Sequence, residues 1–104
     1  MKPYRPLPEC LTIKQSSIEG LGLFSKGDIP KGTNLGISHI WLDGEDEIIR
    51  LPLGGWYNCP NEPHNANCIK ESIEGYDKIE FHLITTKDIK ENEEILVNYT
   101  FYKL

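Results

Sequence analysis

The chain has 104 residues, with 11 Lys and Arg against 16 Asp and Glu and a formal charge of −5, a size that holds one small domain and no separate catalytic and binding domains. An acidic chain with only two arginines, Arg5 and Arg50, lacks the positive field that non-specific nucleic-acid binding requires, so a basic partner or a neutral small molecule suits it better. Thirteen Ile and eleven Leu against one Ala and one Val argue against long helices, because Ala is the best helix former, and the expectation is strands and turns around one core.

The opening Met1-Lys2-Pro3-Tyr4-Arg5-Pro6-Leu7-Pro8 carries positive charge without a following apolar run, so neither a signal peptide nor an anchor is expected, and no later stretch approaches membrane-spanning length. Its prolines predict an extended segment over residues 1–9, ahead of a single domain over 10–104. Three cysteines, Cys10, Cys59 and Cys68, are an odd number without an export signal, which speaks for a reducing, intracellular setting over a disulfide framework.

Leu11 and Ile13 alternate with polar residues and predict a first strand within Cys10 to Ile18, broken by Glu19, Gly20 and Gly22. Leu23-Phe24-Ser25 resumes the apolar run before Gly27-Asp28-Ile29-Pro30-Lys31-Gly32, a cluster of turn formers that precedes Leu35 and Ile37. Sixty residues on, the same punctuation returns: Asp28-Ile29-Pro30-Lys31-Gly32-Thr33-Asn34-Leu35 lines up with Asp88-Ile89-Lys90-Glu91-Asn92-Glu93-Glu94-Ile95. Gly32 and Asn92 occupy equivalent places, and Gly and Asn are the residues that most readily accept φ above zero, so the match predicts shared turn geometry. It is read either as a pseudo-repeat or as a common way of starting a hairpin.

Between the halves, Ile40-Trp41-Leu42 and Ile48-Ile49-Arg50-Leu51 flank the turn-forming Asp43-Gly44-Glu45-Asp46-Glu47, which predicts a hairpin or a very short helix. Residues 54–68 hold four asparagines and two prolines and can form neither a helix nor a central strand. Ile79 to Thr85 alternates cleanly, and Ile95-Leu96-Val97-Asn98-Tyr99 is apolar and β-prone, so two more strands are expected around the second turn.

Gly20-Leu21-Gly22 at the end of a strand lets a ligand or another backbone come close, although taken alone a tight turn explains it without any ligand. The amide-rich loop beside Trp56 and Tyr57 must be hydrogen-bonded or exposed. Cys59, His64 and Cys68 supply only three potential zinc ligands at an unpaired spacing, and no metal is expected. The sequence has no nucleophile-elbow or phosphate-cradling motif, and its carboxylates cluster at 43–47 and 91–94 in what read as exposed turns, so hydrolysis and phosphoryl transfer have little support. Tyr99, with Phe101 and Tyr102 around it, either closes the core or presents an aromatic group at a strand exit.

Taken in order, these segments resemble the SET domain of protein lysine methyltransferases over about residues 11 to 102. Ile18-Glu19-Gly20-Leu21-Gly22-Leu23-Phe24-Ser25 resembles its Gly-x-Gly-Leu-Phe motif. Asn58-Cys59-Pro60-Asn61-Glu62-Pro63, with Asn65-Ala66-Asn67 after an inserted His64, resembles its Asn-His-Ser-Cys-x-Pro-Asn motif. Glu93-Glu94-Ile95-Leu96-Val97-Asn98-Tyr99 resembles the closing motif that leads to its active-site tyrosine. The segment between 38 and 57 is shorter than the family's substrate-docking insert, the Tyr-x-Gly motif is not evident at Leu35 to His39, and no post-SET cysteine segment is present, as in minimal chains of viral or phage type.

The resemblance implies a mostly β fold, a β-clip of short curved sheets with a C-terminal pseudoknot and little helix. It implies S-adenosylmethionine as cofactor, against the backbone of Gly20, Leu21, Gly22, Leu23 and Phe24 and completed by Asn58 and Cys59. Tyr99 would be the catalytic residue, and Tyr57, Phe101 and Tyr102 would wall a channel for the lysine of a basic protein substrate. A partner or a second copy of the chain would close the site, or it would stay open. The alternative is a SET-like β-clip module that binds a small molecule or a protein without turnover.

Overall fold

The computed structural model describes residues 7–42 and 48–98. Among the described residues, six strands form two antiparallel sheets. In the smaller, β1 (Leu11–Gln15) pairs with β2 (Leu21–Ser25), from Leu11 opposite Ser25 to Gln15 opposite Leu21, and the connection is closed by Ser16 N–H donating to the Gly20 carbonyl at 2.7 Å. In the larger, β3 (Asn34–Leu42), β4 (Ile48–Arg50), β5 (Cys68–Glu74) and β6 (Lys78–Thr85) lie in the order β4-β3-β6-β5. The expected hairpin around residues 43–47 is present as the β3–β4 pairing, its tip lying outside the described residues. The described residues contain single-turn 3-10 segments at Pro52–Gly54 and Pro63–Asn65 and no α-helix.

One expectation is corrected and one strand was not expected. Ile95 to Tyr99 forms no strand over its described part: Glu94, Leu96 and Val97 make isolated bridges, to Phe24, Asn58 and Cys68. The β5 strand lies where no pattern marks one, because Lys70, Glu71, Ser72 and Glu74 interrupt its apolar residues, and Ile69 and Ile73 stay half-exposed on its outer side. What holds β5 is a full antiparallel ladder to β6, from Cys68 opposite Thr85 to Glu74 opposite Ile79.

The sixty-residue correspondence is a genuine local two-fold. Ile29 and Ile89 exchange both backbone hydrogen bonds, at 2.7 and 2.8 Å. The Asp88 carboxylate accepts from Lys31 N–H at 2.8 Å, and the Asp28 carboxylate accepts from Glu91 N–H at 3.0 Å. Gly32 N–H donates to the Thr85 carbonyl and Asn92 N–H to the Ser25 carbonyl, while the Thr85 and Ser25 hydroxyls donate to the carbonyls of Pro30 and Lys90. Gly32 has φ +86° and Asn92 φ +67°, the left-handed conformation that both sequences had to supply. The symmetry extends into the core, where Leu23 and Leu83, Ile29 and Ile89, and Leu35 and Ile95 are equivalent pairs, all buried in one cluster with Leu11, Leu53, Tyr57, Cys68 and Val97. Each such aliphatic side chain contributes about 1.5–3 kcal/mol on burial, so the two turns are clamped by the same packing that forms the core. Leu7 and Cys10 pack against its edge.

Candidate functional site

Three segments far apart in sequence converge beside the entry to β2. The first is the end of the β1–β2 connection with Gly20 and the start of β2 with Gly22, the second is Asn58 in the amide-rich loop, and the third is the chain after the second turn, from Glu93 to Val97. At their centre is the Glu94 carboxylate. It accepts from the Ser16 hydroxyl at 2.9 and 2.8 Å and from Asn58 Nδ2 at 2.9 Å. A Cβ on Gly22 would stand 2.3 Å from Glu94 Oε2 and 3.1 Å from Asn58 Nδ2, so the glycine is required there for close approach of these two side chains. Glu93 and Glu94 are thus half-buried, and the reading of residues 91–94 as exposed is corrected for these two; the signal available was the Glu-Glu pair immediately before the apolar run.

Asn58 is 8% exposed, and its Nδ2 also reaches the carbonyls of Glu19 and Leu21, at 3.2 and 3.3 Å. Its own carbonyl accepts from Val97 N–H at 3.0 Å. Asn67, 3% exposed, donates to the Glu94 carbonyl at 2.8 Å and to Glu93 Oε2 at 3.2 Å and accepts from Leu96 N–H at 2.8 Å. These two asparagines clasp the chain from Glu93 to Val97 from both sides, which accounts for half the amide richness of the loop: buried amides persist where their hydrogen bonds are made. Asn61 and Asn65 are exposed.

The other candidate residues fall into place around this cluster. Gly20 is exposed with φ +47° and Leu21 is half-exposed, whereas Leu23 is fully buried and its carbonyl accepts from Ile95 N–H at 2.8 Å. Phe24 pairs with Thr12 on one edge and bridges Glu94 on the other. Both edges of the Leu23–Ser25 stretch are therefore occupied by protein, and the Gly20–Gly22 end is the part beside the Asn58–Glu94 cluster. Cys59 is half-buried, with its thiol 4.0 Å from Asn98 Oδ1. Tyr57 is 6% exposed; its ring belongs to the core, and its hydroxyl accepts from Lys70 Nζ at 3.0 Å. Burial pushes the Lys70 ammonium down to about 8, a residue and a shift that sequence reasoning missed. Tyr99, Phe101 and Tyr102 lie outside the described residues.

The potential zinc ligands do not assemble. Cys68 is buried in the core, its thiol pushed up to about 12 by burial and then by the Glu93 charge, while His64 is exposed. No group of three metal-ligating side chains occurs among the described residues. Nor, among those residues, is any helix long and apolar enough to cross a membrane.

The sequence matches no protein-family model, and no curated protein is similar to it in sequence. Solved structures are similar in fold. The Plasmodium falciparum protein PFL0690c, provisionally described as a histone methyltransferase, superimposes with a TM-score of 0.70 at 20% identity over 92% of this chain and 97% of its own. The methyltransferase domain of human PR domain-containing protein 2 gives 0.67 at 18% identity over 94% and 82%. A chain of the Chaetomium thermophilum Polycomb Repressive Complex 2 gives 0.66 at 20% identity, over 86% of this chain and 15% of that one. The fold is that of the SET-domain methyltransferases: mostly β, with small antiparallel sheets, as the sequence resemblance implied.

Proposed function

We propose that the chain is an S-adenosylmethionine-dependent methyltransferase acting on the side-chain amine of a lysine in a basic protein. The observation that carries this reading is the meeting of Gly20–Gly22, Asn58 and the Glu94–Val97 segment in one half-buried cluster, since these are the three places at which the sequence resembles the family's motifs. The chain from Glu94 to Val97 runs between Asn58 and Asn67–Cys68, bridging both in parallel, which supports the pseudoknot expected of that fold.

The chemistry of the cluster fits the cofactor. A carboxylate from Glu94 and the carbonyls of Glu19 and Leu21 surround Asn58, an acceptor-rich environment that favours a ligand bearing positive charge. When bound, S-adenosylmethionine supplies a methyl group activated as a sulfonium. Asn58, with both amide hydrogens directed at protein oxygens, fixes the β1–β2 connection against the last segment and so positions Glu94. The lysine acceptor must arrive as the neutral amine, so the protein's work is to align it, exclude water and favour its deprotonated form. Tyr99 is the proposed orienting hydroxyl, with Phe101 and Tyr102 as channel walls; Tyr57, expected as a third wall, is instead packed in the core because its ring is buried there.

A second reading, a SET-like binding module without turnover, is favoured by one observation: the hydrogen bonds of Asn58 are made within the protein, so a ligand is not needed to explain its burial. Calorimetric titration with S-adenosylmethionine and S-adenosylhomocysteine separates the two. Saturable one-site binding that Asn58→Ala weakens, together with methylation of basic proteins that Tyr99→Phe abolishes, supports the enzyme; cofactor binding without turnover supports the module, and no binding overturns the cofactor assignment.

A further inference from the structure

At the end of the large sheet remote from the candidate site, the strands run past the core they cover. Residues directly opposite one another in antiparallel strands share a face, so Ile48, Trp41, Ile79 and Glu74 form one row across β4, β3, β6 and β5. The neighbouring row on the same face holds His39 and Phe81, and His39 is 1% exposed. One step outward, Trp41 is 36% and Ile48 38% exposed, and Glu74 is exposed. Among the described residues the layer under the sheet therefore stops at His39, leaving a shelf.

The β5–β6 turn makes its lip. Gly75 N–H donates to the Lys78 carbonyl at 2.7 Å, closing a turn that holds the Tyr76 side chain fully exposed. Between lip and shelf is a cavity of about 270 Å³, with Trp41, Tyr76 and Ile79 as apolar walls and Glu74 and Asp77 beside them. The cation at the rim, Lys78, has its ammonium 3.1 Å from Glu80 Oε2. Lys78 lines the cavity too, but its ammonium is held by Glu80, so among the described residues the carboxylates of Glu74 and Asp77 outnumber its one cation beside the exposed Tyr76.

We propose that this shelf docks an extended lysine- or arginine-bearing segment of a partner protein. An aromatic face attracts a cation placed over it, and Trp and Tyr are the side chains that most often anchor interfaces. The carboxylates of Glu74 and Asp77 add charge complementarity. A second copy of the chain fits less well, because its formal charge is also −5, and nucleic acid is repelled for the same reason. The shelf lies six residues along β5 from Cys68, about 20 Å at the rise of an extended strand, so docking there neither requires nor blocks the cofactor cluster and can be read without methyl transfer.

The test is fluorescence anisotropy of labelled octalysine, with octaserine and octaglutamate for comparison, titrated with the wild type, Tyr76→Ala and the Glu74→Gln/Asp77→Asn double variant. Because the Tyr76 side chain is fully exposed, Tyr76→Ala is expected to melt with the wild type. The expected result is selective octalysine binding that weakens with salt, falls about two- to five-fold in Tyr76→Ala and falls further in the double variant. Octalysine binding unchanged by either variant, equal binding of octaserine, or no binding by the wild type overturns the proposal. Concentration-dependent dimerisation that Tyr76→Ala abolishes overturns it in favour of a second copy.

Discussion

The turns at Asp28–Leu35 and Asp88–Ile95 are made alike and used differently. Each has a carboxylate holding the backbone of the other, a residue at positive φ, and an isoleucine on the local axis. After the first, the chain enters β3, nine residues laddered against β6 and β4. After the second it forms no ladder over the described residues: Glu93 and Glu94 turn inward, and the following residues are gripped by Asn58 and Asn67. At the equivalent places Asn34 is exposed and bonds to Gly36 and His82, whereas Glu94 is half-buried in the candidate site. The shared device sets the geometry, and the side chains that follow it decide whether the exit becomes scaffold or site.

The largest expected effect lies on the second exit. Asn67→Ala leaves the Leu96 N–H and the Glu94 carbonyl without their side-chain partner and is expected to cost about 2–4 kcal/mol in urea unfolding; a cost below about 1 kcal/mol would mean that the clasp is not what holds this segment.

On the first exit, stability should depend on pH through His39. Burial, with the charges of Lys70 and Arg50, pushes its imidazole from 6.5 down to about 4. Its Nδ1 lies 2.9 Å from the Ser38 hydroxyl, which itself donates to the Phe81 carbonyl, so the neutral ring is the donor. Between pH 6.5 and 4 the unfolded chain takes up a proton that the folded chain refuses, so stability falls as pH falls through that window and its dependence on His39 ends below about pH 4. The wild type should lose on the order of 2–3 kcal/mol more than His39→Gln across the window. Parallel pH profiles would remove His39 as the cause.

Smaller effects test the symmetry itself. Gly32→Ala, placed at φ +86°, is expected to cost about 1–2 kcal/mol, and Asn92→Gly to change stability by less than about 0.5 kcal/mol. Thermal melts in which Asn92→Gly is the more damaging would show that the Lys14–Asn92 hydrogen bond outweighs backbone strain. Asp28→Ala and Asp88→Ala should each cost about 0.5–1.5 kcal/mol and match within error, and a marked inequality would break the equivalence of the two turns.

Much of this was legible in the sequence. Alternation located β1 and β6, and the Asp-Ile-x-x-Gly and Asp-Ile-x-x-Asn spacings located both turns, because these signals are local consequences of strand period and positive φ. β5 was not legible: its polar residues carry no pattern, and its hydrogen bonds come from β6, a partner that sequence periodicity does not name. The Ile95–Val97 run misled for the converse reason. Its β propensity is real, but the asparagines on either side meet its backbone first. The three motif segments could be recognised one by one, and Glu94 as a member of the last; that its carboxylate enters the space left by Gly22 and meets Ser16 and Asn58 depends on chain segments 36 to 78 residues apart.

By itself, the sequence determined a small acidic β protein, its turn geometry and the residue types available for the candidate site. Only the tertiary structure decided which carboxylate is half-buried, which asparagines are clasps and which strand end overhangs the core, because burial and hydrogen-bond pairing belong to contacts between distant segments and not to any one of them.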